Sequence, residues 1–594
     1  MNTIEKKLNA LRQLMHEHNL DFYYVPSGDE HKSEYVPACW QRRPWISGFT
    51  GSAGDVLVGK NAAYLWTDPR YFLQAEQELD LKLFTIMRQG QGEVAPIDQW
   101  LAQQGDELRI GIDPKLMSLG QAIKIQNALE PMSGKLVALE ENLIDQLWQD
   151  RPALSHSPIR LQAEKFSGLS CDKKIENLRA ELKAQNCDAT VFTVLDSICW
   201  LFNLRGNDIE FNPLVISFAL VTQQKAILFV DQQKITAEIQ AYLKKHGVEA
   251  HPYEDFAKEL HKIKGLVSCD PNSTSWWVAH QLKNADLHLQ TSSVLLAKSV
   301  KNSTEQEGAR EAHRMDAVAE IKFLHWLENN WQNGVTEISA ADKLEEFRRQ
   351  NPLCLDLSFT TISGFGPHGA IIHYRVTEET NIPVDDSSLY LIDSGAQYHC
   401  GTTDITRTLH LGKPSAEQKK HYTLVLKGHL NLRHLHFPKG TCGEQINAIA
   451  HAPLWNENLD YGHGTGHGVG SYLCVHEGPQ SIGGRYTNVP LTPGMIVSNE
   501  PGLYLENKYG IRIENLCLIV EKATPKDSLS GHGPFYGMED LTLVPYCLKL
   551  IDTELLSKQE VQWINEYHKL VYDTIADKLD ADAKKWLKVN TAAL

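Results

Sequence analysis

Nowhere in the 594 residues is there a run of about eighteen apolar residues, so no membrane-crossing helix is expected. The first stretch, MNTIEKKLNALRQLMHEHNL, carries charges throughout and has no apolar central segment. It reads as an amphipathic helix and not as a secretory leader. Cysteine pairing is absent as a pattern: the eleven cysteines are scattered, odd in number and never spaced C-x-x-C. That usage fits reduced thiols in a cytoplasmic protein. Basic residues are in deficit, with 58 Lys and Arg against 74 Asp and Glu and a net charge of −16. Non-specific nucleic-acid binding is therefore not expected, and neither is a membrane partner. Apolar content of 42% and charged content of 22% are those of an ordinary globular protein, and the length suits three to four domains.

The stretch YGHGTGHGVG, residues 461–470, lacks what a helix needs. His463 and His467 stand four apart, the spacing of a helical zinc-binding pair. Every second residue from Gly462 to Gly470 is glycine, at about 1 kcal/mol each in a helix. The segment must be a loop or irregular strand in which something approaches the backbone closely.

Two parts of the chain resemble each other. LNALRQLMHEHNLDFYYVPSGDEHKSEY from Leu8 and IENLRAELKAQNCDATVFTVLDSICWLF from Ile175 both read as helix, break, Asp, strand, loop and helix. GDVLVGKNAAYLWTDPRYF and SFALVTQQKAILFVDQQKI both read as strand, turn, strand, Asp and helix start. This is an internal duplication of an α/β domain. DRPALSHSPIR, near residues 150–160, is the linker. Boundaries of 1–156 and 157–302 for the two copies leave 303–594 as a third domain. A long amphipathic helix is expected to start it at Ser303 or Thr304, with Glu307 as capping-box partner.

The third domain carries four candidate carboxylates. LYLID closes on Asp393, and the alternating TDITRTLHL contains Asp404. MIVSNE ends at Glu500, and the apolar GIRIENLCLIV carries Glu514. Each reads as one arm of a strand pair. A buried carboxylate is costly unless bonded, paired or bound to a cation. Four in one site would drive each other's pKa values up, and two divalent cations would balance them. Oxygen donors with one or two imidazoles suit Mn²⁺ or Co²⁺. Two such ions can hold and acidify a water, which makes hydrolysis the leading chemistry.

The set Asp393, Asp404, His467, Glu500 and Glu514 resembles the dimetal signature of the pita-bread metallopeptidases, which include methionine aminopeptidase, prolidase and aminopeptidase P. The segments GAIIHY (369–374), DSGAQYHCGTTDITRT (393–408), YGHGTGHGVGSYLCVHEGP (461–479) and GIRIENL (510–516) narrow the resemblance to the long, three-domain, cytosolic type of aminopeptidase P. PSGDEHKSEY, SGFTGSAG, WTDPRYFLQA and LTLVPYCLKLID extend it over nearly the whole chain. One departure is Cys400, where the family pattern has an acidic residue. It is not a ligand position.

The resemblance implies an α/β (α+β) protein with two creatinase-like N-terminal domains followed by a pita-bread catalytic domain. It implies two divalent ions per chain, Mn²⁺ foremost with Co²⁺ or Zn²⁺ as alternatives, with Asp404 and Glu514 bridging. It also implies cleavage after the first residue of peptides with proline second, a bridging hydroxide as nucleophile and Glu500 as proton shuttle. The substrate's α-amine would be received at the metals. His476 is expected at the scissile carbonyl, His373 at the proline side, and His463 near the substrate or behind the ligands. Independently of the resemblance, Arg512 precedes Glu514 by two and so shares a strand face with it, which puts it beside a ligand carboxylate or the substrate. Arg70 matches a substrate-contacting arginine of the first domain, and the second copy, FVDQQKI, lacks it. A homodimer is also implied. Two alternatives remain open: a prolidase-type dipeptidase, and a metal-free pita-bread binding module.

Overall fold

The computed structural model describes residues 3–522 and 533–594. They fall into two compact units, Met1–Gln162 with Leu169–Leu295, and Ala163–Gly168 with Leu296–Leu594.

The first unit holds both copies of the duplication. In the first copy, strands β1 (Phe22–Val25), β2 (Asp55–Gly59), β3 (Ala63–Thr67), β4 (Phe84–Arg88), β5 (Arg109–Ile112) and β6 (Lys135–Ala138) form a sheet of order β4-β3-β2-β1-β5-β6. In the second, β7 (Ala189–Phe192), β8 (Ser217–Thr222), β9 (Ala226–Val230), β10 (Val248–His251), β11 (Gly265–Cys269) and β12 (Ala285–Leu289) take the order β10-β9-β8-β7-β11-β12. The pairing senses match strand for strand. The β1/β2 and β2/β3 pairs are antiparallel, as are β7/β8 and β8/β9, and the outer pairs are parallel in both. Strand β9, AILFV, is buried at every position, as a central strand covered on both faces should be.

A shared turn is one of the places where the copies meet. Asp113-Pro114 leads to Ser118, which caps the helix Leu119–Leu129. Asp270-Pro271 leads to Ser275, which caps the helix Trp276–Gln281. The two serines form an antiparallel bridge. Leu119 N donates to the Thr274 carbonyl and Trp276 N to the Met117 carbonyl, both at 2.8 Å. Gly120 N donates to Pro271 at 2.8 Å and Trp277 N to Pro114 at 2.9 Å. Every bond has its mate under exchange of the copies.

The second unit begins with the helix Ser303–Asn330. Its cap differs from the expected one. Asn302 is the N-cap, accepting from Thr304 N and Glu305 N, and Glu305, not Glu307, completes the capping box. An Asn amide oxygen caps as well as a hydroxyl, so the helix starts one residue earlier than a Ser or Thr cap would set it. The helix packs in a core with strand Leu389–Ser394 and the helices Ala416–Arg433 and Lys558–Ile575.

Two sheets of this unit place the chemistry. Strands β13 (Ile362–Phe365), β14 (Leu389–Ser394) and β15 (Ile405–His410) form an antiparallel sheet. Strands β16 (Phe437–Pro438), β19 (Ile496–Asn499), β20 (Asn515–Lys522) and β21 (Phe535–Asp540) form another, of order β16-β21-β20-β19. Between them in sequence, β17 (Gly466–His467) pairs with β18 (Ser481–Ile482). Among the described residues no helix is long and apolar enough to cross a membrane, and none of the eleven cysteines is in a disulfide.

Candidate metal centre

The four carboxylates sit at strand ends, where side chains leave the ladder and converge. Asp393 is the penultimate residue of β14 and pairs with Thr406. Asp404 immediately precedes β15, and does not lie within it as its alternating pattern suggested. Asn499 and Asn515 form the last pair between β19 and β20, and Glu500 and Glu514 are the residues just outside it. The apolar run read as one strand is two, Tyr509–Arg512 and Asn515–Lys522, broken at Glu514.

His467 reaches the same point from the glycine-rich stretch, which is irregular except for the two residues of β17. A Cβ on Gly466 would lie 2.0 Å from the Ser498 carbonyl oxygen, and one on Gly468 2.0 Å from that of Glu477. Glycine is therefore required where the loop presses on its neighbours. The His467 Nδ1 lies 3.0 Å from the Gly468 carbonyl, which makes it the donor and leaves Nε2 as a lone pair. That Nε2 is 3.3 Å from Glu500 Oε1 and 3.5 Å from Asp404 Oδ2.

One donor atom each of Asp404, His467 and Glu514 lies within 4.8 Å of the others. Asp393 joins through Arg512, whose Nη2 donates to its Oδ2 at 2.7 Å. Arg512 Nε also donates to Thr406 Oγ1 at 3.1 Å, and that hydroxyl donates to Glu514 Oε2 at 2.7 Å. Arg512 thus partners Asp393 directly and Glu514 only through Thr406. Glu500 accepts from Ser498 Oγ at 3.0 Å.

The donor set fits divalent ions. Asp393 Oδ1 and Glu514 Oε1 are buried without a hydrogen-bond partner, a costly state for carboxylate oxygens unless a cation takes them. Burial, with Glu514, Asp393 and Glu500 nearby, holds the Asp404 carboxyl well above the usual range. Burial, then Glu500 and Asp393, does the same to Glu514. Burial pushes Glu500 up to about 7, with Arg512 opposing the shift and Asp393 adding to it. Without cations this cluster is self-repelling. Two divalent ions and Arg512 against four carboxylates and one hydroxide come to neutrality.

The remaining candidates divide into two groups. His476 lies edge-on to His467, ring centroids 4.4 Å apart at 88°. The His463 Nδ1 lies 2.8 Å from the Gly464 carbonyl, so its Nε2 accepts from the Tyr504 hydroxyl at 2.8 Å, and that hydroxyl accepts from Arg512 Nη1 at 2.8 Å. His463 therefore connects to the candidate ligand Asp393 through Tyr504 and Arg512. His373 is half-buried on the loop after the 3-10 turn Gly366–Ala370. That loop is fastened by buried Glu337, which accepts from Phe365 N at 2.7 Å, His368 Nδ1 at 2.9 Å and the Tyr374 hydroxyl at 3.2 Å. Arg70 belongs to the first unit, where Nε and Nη2 make a two-pronged ion pair with Asp68 at 2.9 and 2.7 Å. Tyr504, Thr406, Ser498 and Glu337 went unread in the sequence. Thr406, Ser498 and Tyr504 lie beside or between candidate ligands in sequence, and Glu337 does not.

Residues 307–521 match metallopeptidase family M24 and 534–594 match the C-terminal region of peptidase M24. Residues 7–147 and 150–305 each match the creatinase/prolidase N-terminal domain. A probable Xaa-Pro aminopeptidase P of Sordaria macrospora is 43% identical, with 100% of this chain and 99% of that one covered. Aminopeptidase P1 of Lotus japonicus is 40% identical, covering 99% of each. The X-prolyl aminopeptidase of Caenorhabditis elegans, described as a cytosolic enzyme with a di-nuclear active site, matches at a TM-score of 0.95 and 37% identity over 100% of both chains. The architecture is thus two creatinase-type domains followed by a pita-bread catalytic domain, and the chain belongs to metallopeptidase family M24.

Proposed function

We propose that this chain is an Xaa-Pro aminopeptidase that releases the first residue of peptides with proline second. The observation carrying the reading is the grouping of Asp404, His467 and Glu514, with Glu500 3.3 Å from His467 and Asp393 joined through Arg512, in a chain similar over its full length to proteins named for that activity. These five residues would hold two divalent ions, of which Mn²⁺ suits the oxygen-rich donor set. When bound, the ions supply a water acidic enough to lose a proton near neutral pH and positive charge for the polarised carbonyl.

The chain's own residues do the rest. The X-Pro bond is a tertiary amide without an N–H, so no residue can grip it there. Glu500, at the edge of the cluster, takes the water's proton and delivers it to the departing proline nitrogen. His476, against His467, donates to the oxygen that gains charge. His373 faces the proline side, and Arg512 keeps Asp393 aimed. Arg70 binds the peptide beyond the proline. A homodimer and a cytoplasmic location complete the proposal, the latter supported by the cytosolic description of the nematode relative.

Stripped enzyme reloaded separately with Mn²⁺, Co²⁺ and Zn²⁺ should cleave Xaa-Pro-Xaa tripeptides faster than Xaa-Pro dipeptides, with Mn²⁺ giving the highest rate. Preference for the dipeptides would make it a prolidase. Sedimentation of the purified chain tests the dimer.

A further inference from the structure

Behind the catalytic loop lies a buried group of charges that the chemistry above does not use. Glu477 directly follows His476, and its side chain is fully buried. Its Oε1 accepts from Lys301 Nζ at 2.5 Å, and its Oε2 is 3.0 Å from Lys298 Nζ. Both lysine side chains are at most 1% exposed. Lys301 Nζ also donates to the Lys298 carbonyl at 2.8 Å, so the two anchors are bonded to each other. The main chain of Glu477 is fastened as well, its N–H donating to the Gly468 carbonyl at 2.8 Å. Gly468 follows His467. One residue thus ties together the backbone beside His467, the backbone beside His476 and the segment 298–301.

Three buried ions in a 2:1 ratio are an expensive way to close a loop. An apolar residue in place of each would pack as well or better. What the ions add is direction. A carboxylate hydrogen-bonded at one oxygen and ion-paired at the other is restrained in rotation, and the peptide on which it stands is held with it. The His476 ring lies 4.4 Å from that of His467, at right angles. A small change in the 476–477 backbone would carry this ring away from the reacting carbonyl, and misplacement of 1 Å in such a group costs on the order of 10²-fold in rate.

We propose that Glu477 is a positioning residue for His476, with Lys298 and Lys301 as its anchors. The proposal rests on the assignment of His476 to the scissile carbonyl. In metal-saturated enzyme on an Xaa-Pro-Xaa tripeptide, Glu477→Gln should lower kcat about 10-fold, leave KM within about threefold and leave bound metal unchanged. In a His476→Ala background the same substitution should cost less than about threefold, because the ring it positions is gone. An unchanged kcat in folded Glu477→Gln, measured well below its melting temperature, would reduce the triad to a structural staple. A tenfold loss that persists without His476 would also overturn the proposal. If Glu477→Gln does not fold, Lys298→Met leaves a balanced Lys301–Glu477 pair. It should lower kcat about threefold, again only when His476 is present, and a wild-type kcat would overturn the idea. A wild type inactive on every Xaa-Pro peptide would instead fault the assigned activity. The positioning would then be read from ¹⁵N-histidine spectra, in which Glu477→Gln must shift the His476 ring signals.

Discussion

A buried ion pair of the first unit and the carboxylate cluster of the second treat charge in opposite ways. In the pair, one cation meets one anion: Lys234 Nζ lies 2.6 Å from Asp208, with side chains 3% and 1% exposed. In the second, four carboxylates converge around a single arginine, and two orphan oxygens point at nothing in the protein. A matched ion pair completes a fold. An unmatched cluster is a fold left incomplete until something else arrives. The difference teaches where to look for function: in the place where the charge does not add up.

The contrast can be broken in four ways. The largest effect is expected at the cluster. Asp404→Asn or Glu514→Gln should cut turnover by about 10³-fold or more, the scale of the several kcal/mol that bound ions supply. Bound metal, measured by atomic emission, should fall with it, and wild-type turnover in either variant would end the dimetal assignment. Next is the matched pair of the first unit. Asp208→Asn leaves Lys234 buried and unpaired, so the denaturant melt should lose about 3–5 kcal/mol, while bound metal per folded chain stays the same. A loss below about 1 kcal/mol would mean that the pair is not holding the fold.

The third test separates the two copies of the duplication. Asp68 accepts from Arg70 N, and Asp231 accepts from Gln233 N in the same turn. Arg70→Ala should raise KM about 10-fold, or about 1.4 kcal/mol, on peptides longer than two residues, with kcat and metal content unchanged. Gln233→Ala should do nothing. Equal effects would return Arg70 to a scaffold ion pair with Asp68. The smallest effect is also the sharpest in sign. In metal-free protein an ionised Glu514 is penalised by the fold, since its carboxyl lies well above its ordinary value. Such a group favours the folded state at low pH and loses that contribution as pH rises through its folded pKa. Glu514→Gln should therefore stabilise the metal-free protein at neutral pH by about 1 kcal/mol or more. With metal present the same change should destabilise. Destabilisation in both states would mean that the cluster is not self-repelling.

Much of this was legible before the fold was known, for identifiable reasons. The candidate ligands could be picked out because carboxylates at the ends of apolar strands are costly and stand out against their surroundings. The duplication could be read because alternation, turn and helix start repeat in the same order, and both sheets then take the same strand order. What could not be read depends on distances between segments far apart in the chain. Arg512 was aligned with Glu514 by strand periodicity, yet its fork closes on Asp393, 119 residues away. Glu337 is an ordinary first-turn acid in sequence and becomes the clasp of the His373 loop only when Phe365, His368 and Tyr374 gather on it. Lys298 and Lys301 sit at a junction where lysine is unremarked, and nothing local says that both will be buried on one glutamate.

The turn joining the two copies has a consequence for how they could change. Its four reciprocal bonds run between main-chain atoms, through Pro114, Met117, Leu119 and Gly120 on one side and Pro271, Thr274, Trp276 and Trp277 on the other. Peptide groups are the same whatever side chain they carry. Between Asp-Pro and Ser one copy reads Lys-Leu-Met and the other Asn-Ser-Thr, yet the clasp is intact. Divergence in the side chains of this turn therefore leaves the four bonds in place. One half could acquire an arginine for a substrate and the other lose it, like two hands that keep the same grip while only one learns a trade.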